Sequence, residues 1–253
     1  MTEPSGLQID ASNVLQVLLR DSYLRFGDDA VAGDAFYTGV ASAIFRAVGA
    51  GQGEPRAVVD ALARAGAEGR LRMWSAHPEE QKKLASTSVG AAFLTGPFPD
   101  ATGVFLNDGT AGKLGYYLST AVTVEDLRCA GPDPTATVRL DLSYAPPADV
   151  ATFPKYVTGW SGTELPVGWL ATNITVYSPV GATLDALRLD DGYVSGGTGE
   201  ASGRSVQVVT SWHAPGAHET YRFDVPVRGG QVSVWTTPTL TSPGQVVVAC
   251  PAG

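Results

Sequence analysis

The chain has 253 residues and a formal charge of −8, from 17 basic and 25 acidic side chains. This acidic balance argues against nucleic acid and anionic membranes as partners, because phosphate groups bind to cationic surfaces. No run of the sequence approaches the ~20 apolar residues of a transmembrane helix, and the start of the chain lacks the pattern of a signal peptide. We therefore expect any export signal or membrane anchor to lie in a segment absent from this sequence.

The first 90 residues show the apolar period of α-helices. Four helices are predicted, and each begins at a residue suited to a helix N-terminus. These starting residues are Asp10 or Ser12, Asp29, Pro55 and Pro78. In the second helix an apolar stripe, formed by Phe36, Val40, Ile44 and Val48, is expected to be buried.

Short strands are predicted next, over residues 71–74 and within 103–118 (GVFLNDGTAGKLGYYL). The second segment is predicted as two paired strands joined by a turn at Asn107-Asp108-Gly109. It superficially suggests a phosphate-binding loop, but the first glycine is missing and Leu114 replaces the magnesium-binding hydroxyl. A turn is therefore the favoured interpretation.

The hydrophobic period changes from 3.6 to 2 near Asp126, which predicts a boundary between two subdomains. A helix-rich α/β subdomain would cover residues 1–125 and a β-sandwich residues 126–253, the latter able to fold alone. The residues expected to face the sandwich core are Val138, Leu140, Leu142 and Tyr144; Leu170, Thr172, Ile174 and Val176; Val206, Val208, Thr210 and Trp212; Tyr221, Phe223 and Val225; and Val232 and Val234. With two less regular strands, the count of about seven predicts an α+β protein with an antiparallel, immunoglobulin-like sandwich.

Two cysteines, Cys129 and Cys250, lie at the start and end of the β-rich half. One interpretation is a pair of buried free thiols in a cytosolic protein. The other is a disulfide that ties the two ends of the sandwich together, with an oxidising, extracytoplasmic location. The flanking positions of the two residues favour the disulfide.

Residues with catalytic or metal-binding chemistry are scattered along the sequence. The histidines His77, His213 and His218 lack a third ligand at metal-binding spacing, although a hairpin would bring the last two together. Ser161 lies in a loop rather than on the strand-to-helix turn of a nucleophile elbow. We therefore assign no catalytic residue, no metal ligand and no cofactor.

A Pro- and Gly-rich connection over residues 145–168 is longer than packing alone requires. It carries three aromatic residues, Phe153, Tyr156 and Trp160. Exposed, these rings would stack on a sugar or a partner protein; buried, they would cap the sandwich, which is the favoured alternative. They are the candidate binding residues.

Several segments together resemble the domain-of-unknown-function 4012 family of high-GC bacterial envelope proteins. They are residues 12–29, 70–81, 103–118 and 156–159, of which 103–118 is the most specific. Members of that family look like distant relatives of the LytR-CpsA-Psr enzymes, which transfer lipid-linked glycopolymers to the cell wall. The resemblance implies that this chain is the C-terminal part of such a protein, placed outside the cytoplasm and anchored through an upstream segment.

The LytR-CpsA-Psr relatives hold a pyrophosphate lipid with clustered arginines and aspartates. The residues near a comparable position here are Arg20, Arg25, Asp28 and Asp29, which form no cluster in sequence, so no functional residue is carried over. We therefore expect a non-catalytic extracytoplasmic envelope module that serves assembly or binding, with an envelope glycan or an envelope protein as its partner. The alternatives are part of a glycopolymer phosphotransferase and a carbohydrate-binding β-sandwich.

Overall fold

A computed structural model describes residues 8–90, 92–190 and 192–251. Helices come first and two β-sheets follow, which confirms the predicted α+β class with a β-sandwich. The α-helices within these ranges are α1 (Val14–Gln16), α2 (Ser22–Phe26), α3 (Ala30–Gly49), α4 (Pro55–Ala67), α5 (Pro78–Leu84) and α6 (Lys155–Thr158), and a π-helical turn, Val17–Asp21, joins α1 to α2. The strands are β1 (Thr102–Asp108), β2 (Leu118–Arg128), β3 (Thr135–Tyr144), β4 (Leu170–Tyr177), β5 (Arg188–Leu189), β6 (Gly192–Tyr193), β7 (Gly197–Ala201), β8 (Arg204–His213), β9 (His218–Pro226), β10 (Gln231–Thr236) and β11 (Gln245–Ala249).

The helices begin close to where the sequence predicts. The Asp29 carboxylate accepts a hydrogen bond from the backbone N–H of Ala32 at 3.0 Å and so caps α3. Phe36 is buried in a small cluster with residues from the segment 9–26, which contains α1 and α2, whereas Ile44 is 47% and Val48 53% exposed. The prediction of a buried stripe is therefore wrong for the second half of α3, because the segment 9–26 packs only on the N-terminal half.

The two sheets pack face to face around the main core. One sheet has the strand order β11-β10-β1-β4-β8-β7 and the other β2-β3-β9-β5-β6. All neighbouring strands are antiparallel except β1 and β10. Val104, Ile174 and Val234 of the first sheet face Leu140 and Phe223 of the second in a continuous apolar layer.

The strands before residue 126 belong to these same sheets. β1 lies between β4 and β10, and β2 pairs with β3 in the opposite sheet. The predicted hairpin over 103–118 is therefore wrong: residues Leu114–Tyr117 form a 3₁₀ turn that carries the chain from one sheet to the other. Residues 71–74, predicted as a strand, are irregular.

Cys129 and Cys250 form a disulfide with Cα atoms 5.9 Å apart, as predicted. Cys129 comes directly after β2 and Cys250 directly after β11, which are edge strands of the two sheets. The disulfide therefore links the two sheets at one edge of the sandwich. Closing a loop of this length stabilises the fold by roughly 4–5 kcal/mol in the chain-entropy model. A bond of this kind indicates an oxidising, extracytoplasmic environment.

The helical part is attached to the sandwich at two places. Tyr23 and Leu24 of α2 pack against an apolar cluster at one end of the sandwich. After α4, the Arg70 guanidinium donates hydrogen bonds to the carbonyl oxygens of Thr239 (2.7 Å) and Ser242 (3.1 Å). Within the described residues, every helix is too short or insufficiently apolar to cross a bilayer.

Candidate functional site

A cleft of about 260 Å³ opens on the outer face of the six-stranded sheet. Two tryptophan side chains line it, with Trp160 57% and Trp212 60% exposed. Polar groups come from Asn173, Thr210 and Glu164. We call this the tryptophan cleft; large exposed rings beside polar groups in a concavity are typical of a ligand site.

The floor of the tryptophan cleft is built by cross-strand neighbours on β4 and β8. Ala171 lies opposite Trp212, and Asn173 lies opposite Thr210. Asn107 of β1 lies opposite Asn173 on its other side, so polar residues cross three adjacent strands in one row. Side chains at paired positions share a face of the sheet, which places this row beside the Trp212 ring.

Backbone contacts hold Trp160 over this floor. Its backbone N–H donates to the Thr110 carbonyl oxygen at 2.7 Å, and the N–H of Lys113 donates to the Val157 carbonyl oxygen at 2.7 Å. Gly159 has φ +62°, and a Cβ there would lie 2.2 Å from the Thr110 oxygen. Only glycine therefore allows the loop to approach so closely.

The partner loop is fixed by the Asp108 carboxylate. It accepts hydrogen bonds from the backbone N–H groups of Thr110 (2.6 Å) and Gly112 (3.0 Å), and from the Thr110 hydroxyl. A positive φ in this loop occurs at Ala111 (53°), beyond the turn predicted at Asn107-Asp108-Gly109. The segment that superficially suggested a phosphate site therefore serves as a support for Trp160.

The polar groups of the cleft have free hydrogen-bonding capacity. The Thr210 hydroxyl donates to the Asn173 side-chain oxygen at 2.7 Å. Within the described residues, the Asn173 amide nitrogen and the Glu164 carboxylate have no hydrogen-bond partner, and no cationic side chain lines the cleft. The cleft thus offers donors and acceptors for hydroxyl groups and no positive charge for an anion.

The three predicted binding residues lie in different surroundings. Phe153 is half-buried against Tyr117, with ring centroids 6.3 Å apart, and joins the cluster at the sandwich end. Tyr156 is 44% exposed and lies 6.1 Å from the Tyr23 ring, at the helices. Trp160 alone of the three lines the tryptophan cleft. Burial, the alternative favoured from the sequence for these three rings, thus applies to Phe153 but not to Tyr156 or Trp160.

Sequence reasoning missed Trp212 because it assigned β8 the opposite phase. Val208, Thr210 and Trp212 point outward, while Gln207, Val209, Ser211 and His213 point inward. The prediction that Trp212 faces the core is therefore wrong. Hydropathy predicts that the face of β8 with Val208 and Trp212 is buried. The opposite face is buried instead, because Ser211 and His213 have polar partners inside the sandwich.

Those partners form a network inside the sandwich. His213 Nε2 lies 3.1 Å from the Thr172 hydroxyl, and Nδ1 lies 3.3 Å from the Glu219 carboxylate, which also accepts from the Ser211 hydroxyl. Desolvation raises the pKa of Glu219, but the contacts with His213 and Ser211 outweigh it and hold this pKa below its usual value. Hydroxyl, imidazole and carboxylate are connected as in a catalytic triad, yet Thr172 is 2% and His213 1% exposed. The network is closed to a substrate and serves the fold.

Other residues considered from the sequence have structural partners. The Ser161 hydroxyl is buried and donates to the Thr158 carbonyl oxygen at 2.8 Å. Arg20 donates to the Tyr117 hydroxyl at 3.0 Å and pairs with Asp21 at 2.9 Å. In the part of the chain that the structure describes, no three histidine, cysteine or carboxylate side chains are placed to hold a metal ion.

Comparison with family models, with curated proteins and with solved structures finds no match to this chain.

Proposed function

We propose that this chain is an extracytoplasmic binding module of the cell envelope that holds a neutral glycan in the tryptophan cleft. The observation that carries the proposal is the pair of exposed indoles, Trp160 and Trp212, which flank a row of polar side chains. The disulfide supports an oxidising location, where envelope glycans are accessible.

A sugar ring fits this arrangement chemically. The C–H groups of a pyranose form an apolar face that stacks on an indole, while its hydroxyl groups take hydrogen bonds from the edge. Asn173, Thr210 and Glu164 supply those hydrogen-bonding groups. Ligand sites of drug size measure about 300–1,000 Å³, so this smaller cleft holds a short stretch of a chain.

The charge of the tryptophan cleft favours neutral glycans over anionic ones. A polymer with phosphate or carboxylate groups would meet the Glu164 carboxylate, and its charge would not be balanced by the residues that line the cleft. A neutral chain avoids that repulsion. Binding rather than glycopolymer transfer is proposed, because Arg20 is engaged by Tyr117 and Asp21, and Asp29 caps α3.

The test compares tryptophan variants in glycan binding. We expect Trp160→Ala and Trp212→Ala each to weaken binding to neutral envelope polysaccharides about tenfold, since a stacked ring contributes ~1–1.5 kcal/mol. Affinity electrophoresis in gels containing neutral or anionic polysaccharides measures the effect. Trp74→Ala is the matched control, because Trp74 is 77% exposed and does not line the cleft.

Two outcomes would contradict the proposal. One is retention of full glycan binding by both cleft variants. The other is preferential binding of the anionic polymer by the unaltered protein.

A further inference from the structure

A second cavity, of about 60 Å³, lies where α2, the start of α3 and α6 meet. Four aromatic side chains line it: Tyr23, Phe26, Tyr37 and Tyr156. The Tyr23 ring centroid lies 5.9 Å from that of Tyr37 and 6.1 Å from that of Tyr156. We call this the aromatic cavity; it is separate from the tryptophan cleft and shares no lining residue with it.

Two hydroxyl groups in its wall, those of Tyr37 and Ser22, are already hydrogen-bonded within the protein. The Tyr37 hydroxyl donates to the Leu18 carbonyl oxygen at 2.9 Å and lies 2.7 Å from the Ser22 hydroxyl. Leu18 belongs to the π-helical turn Val17–Asp21, a type of turn that often occurs at functional sites. Burial raises the pKa of Tyr37, so its hydroxyl stays protonated. What the wall offers a ligand is therefore its ring surfaces and its carboxylates rather than these hydroxyl groups.

The charged side chains that line the cavity are acidic. Asp29 and Asp34 line it, and none of the described residues in its wall is cationic. Aromatic faces carry partial negative charge and attract ammonium groups. Lys113 illustrates this from outside the cavity, where its Nζ lies 5.3 Å from the Tyr156 ring centroid and 5.6 Å from that of Tyr23.

The size of the cavity limits the ligand to a small group. An engineered protein cavity that admits benzene measures about 150 Å³, so a volume of about 60 Å³ accepts a primary ammonium group, whereas a trimethylammonium group, which is nearly as large as benzene, would lie partly in the open mouth. Gly33 of α3 contributes to this space, since no atom lies within 4 Å of the position that a Cβ would occupy there.

We propose that the aromatic cavity binds the ammonium head group of an organic cation, held between the tyrosine rings and the carboxylates of Asp34 and of Asp29, which uses one oxygen to cap α3 and keeps the other for the ligand. The ligand is either a quaternary ammonium compound or a primary amine at the end of an alkyl chain. Both ligands carry a single positive charge, which the rings and the carboxylates would attract.

Calorimetric titration of the full chain distinguishes these ligands. The probes are choline, n-butylammonium and 3,3-dimethylbutan-1-ol, which has the shape of choline without its charge. We expect the preferred ammonium probe to bind about tenfold more tightly than the alcohol, in keeping with a cation–π contribution. Comparison of choline with n-butylammonium identifies the class of amine.

Variants locate the site. Gly33→Leu fills the cavity from a helical position with open space, and we expect it to abolish ammonium binding. Gly49→Leu is the matched control, because Gly49 also lies on α3 with no atom within 4 Å of its Cβ position but does not line the cavity. Tyr156→Ala removes a half-exposed ring and should weaken binding without affecting the fold.

The proposal fails if neither ammonium probe titrates, or if the alcohol binds as tightly as both. It also fails if Gly33→Leu and Tyr156→Ala bind like the unaltered protein. Thermal melting of each variant confirms that the altered chain is folded.

Discussion

The Arg204 side chain is 1% exposed and anchors a loop to the six-stranded sheet. Its guanidinium donates to the carbonyl oxygens of Ala101 (2.6 Å), Ser178 (2.8 Å) and Phe98 (2.9 Å), and it lies 4.4 Å from the Phe93 ring centroid. Burial lowers the pKa of Arg204, but an arginine stays charged under any ordinary condition. A buried charge of this kind is tolerated because three backbone oxygens accept from its two terminal nitrogens, while its Nε has no hydrogen-bond partner among the described residues.

We predict that Arg204→Met lowers the free energy of unfolding by about 3–5 kcal/mol, because three carbonyl oxygens lose their donor. Arg204→Lys should lose less stability, because an ammonium keeps the positive charge. It should still be less stable than the unaltered protein, because an ammonium lacks the guanidinium fork. Urea unfolding followed by tryptophan fluorescence measures both. Arg64→Met, at an exposed position of α4, is the control and should change stability little. Equal stabilities of Arg204→Met and Arg64→Met would contradict this role.

At the scale of elements, the turn from β8 to β9 carries the chain from one sheet to the other. Ser211 and His213 on β8 contact Glu219 on β9 across this turn. The Tyr221 hydroxyl donates to the same carboxylate at 3.4 Å. These bonds explain why β8 turns polar side chains inward, and thereby why Trp212 points outward to the cleft.

The Glu219 contacts predict a pH dependence of stability. Because the pKa of Glu219 is lower in the folded state than in the unfolded state, its contribution is complete above the unfolded pKa of ~4.3 and is lost as the pH falls through the folded pKa. We expect Glu219→Gln to be less stable by about 1–3 kcal/mol at pH 7. The difference from the unaltered protein should shrink toward pH 3.

Chemical denaturation at pH 7, 5 and 3 tests this dependence. Glu200→Gln on β7 serves as the control, since Glu200 is exposed. A difference between Glu219→Gln and the unaltered protein that is constant across this pH range would show that the charge of Glu219 contributes nothing.

On the scale of the whole molecule, the sandwich needs strands from both sides of residue 126. β1 supplies Val104 to the core and is an inner strand, between β4 and β10. β2 pairs with β3 over most of its length. The six-stranded sheet would be interrupted at its centre without β1.

Two fragments test this view of the molecule. We expect residues 92–251 to unfold cooperatively, because they retain β1, β2, the disulfide and the Phe93 contact of Arg204. Residues 129–251 keep both cysteines but should show no cooperative transition, since β4 and β10 lose the strand between them. Circular dichroism during thermal melting measures both. Cooperative unfolding of the shorter fragment would instead favour the boundary that the change of period predicts.

The sequence alone determined much of the local structure. Helical periodicity and N-terminal residues located α3, α4 and α5, and alternation located β3, β4, β9 and β10, because these signals depend on neighbours a few residues apart. The flanking positions of Cys129 and Cys250 also sufficed for the disulfide. Among the candidate binding residues, the sequence provided Trp160.

Only the tertiary structure decided which strands pair and which faces are buried. β1 pairs with β4 and β10, which lie about 70 and 130 residues further along the chain, and no local pattern encodes such contacts. A shift of one residue in the phase of β8 moves every side chain to the other face. The buried contacts of His213 and Ser211 with Glu219 decide that phase, and so bring Trp212 beside Trp160.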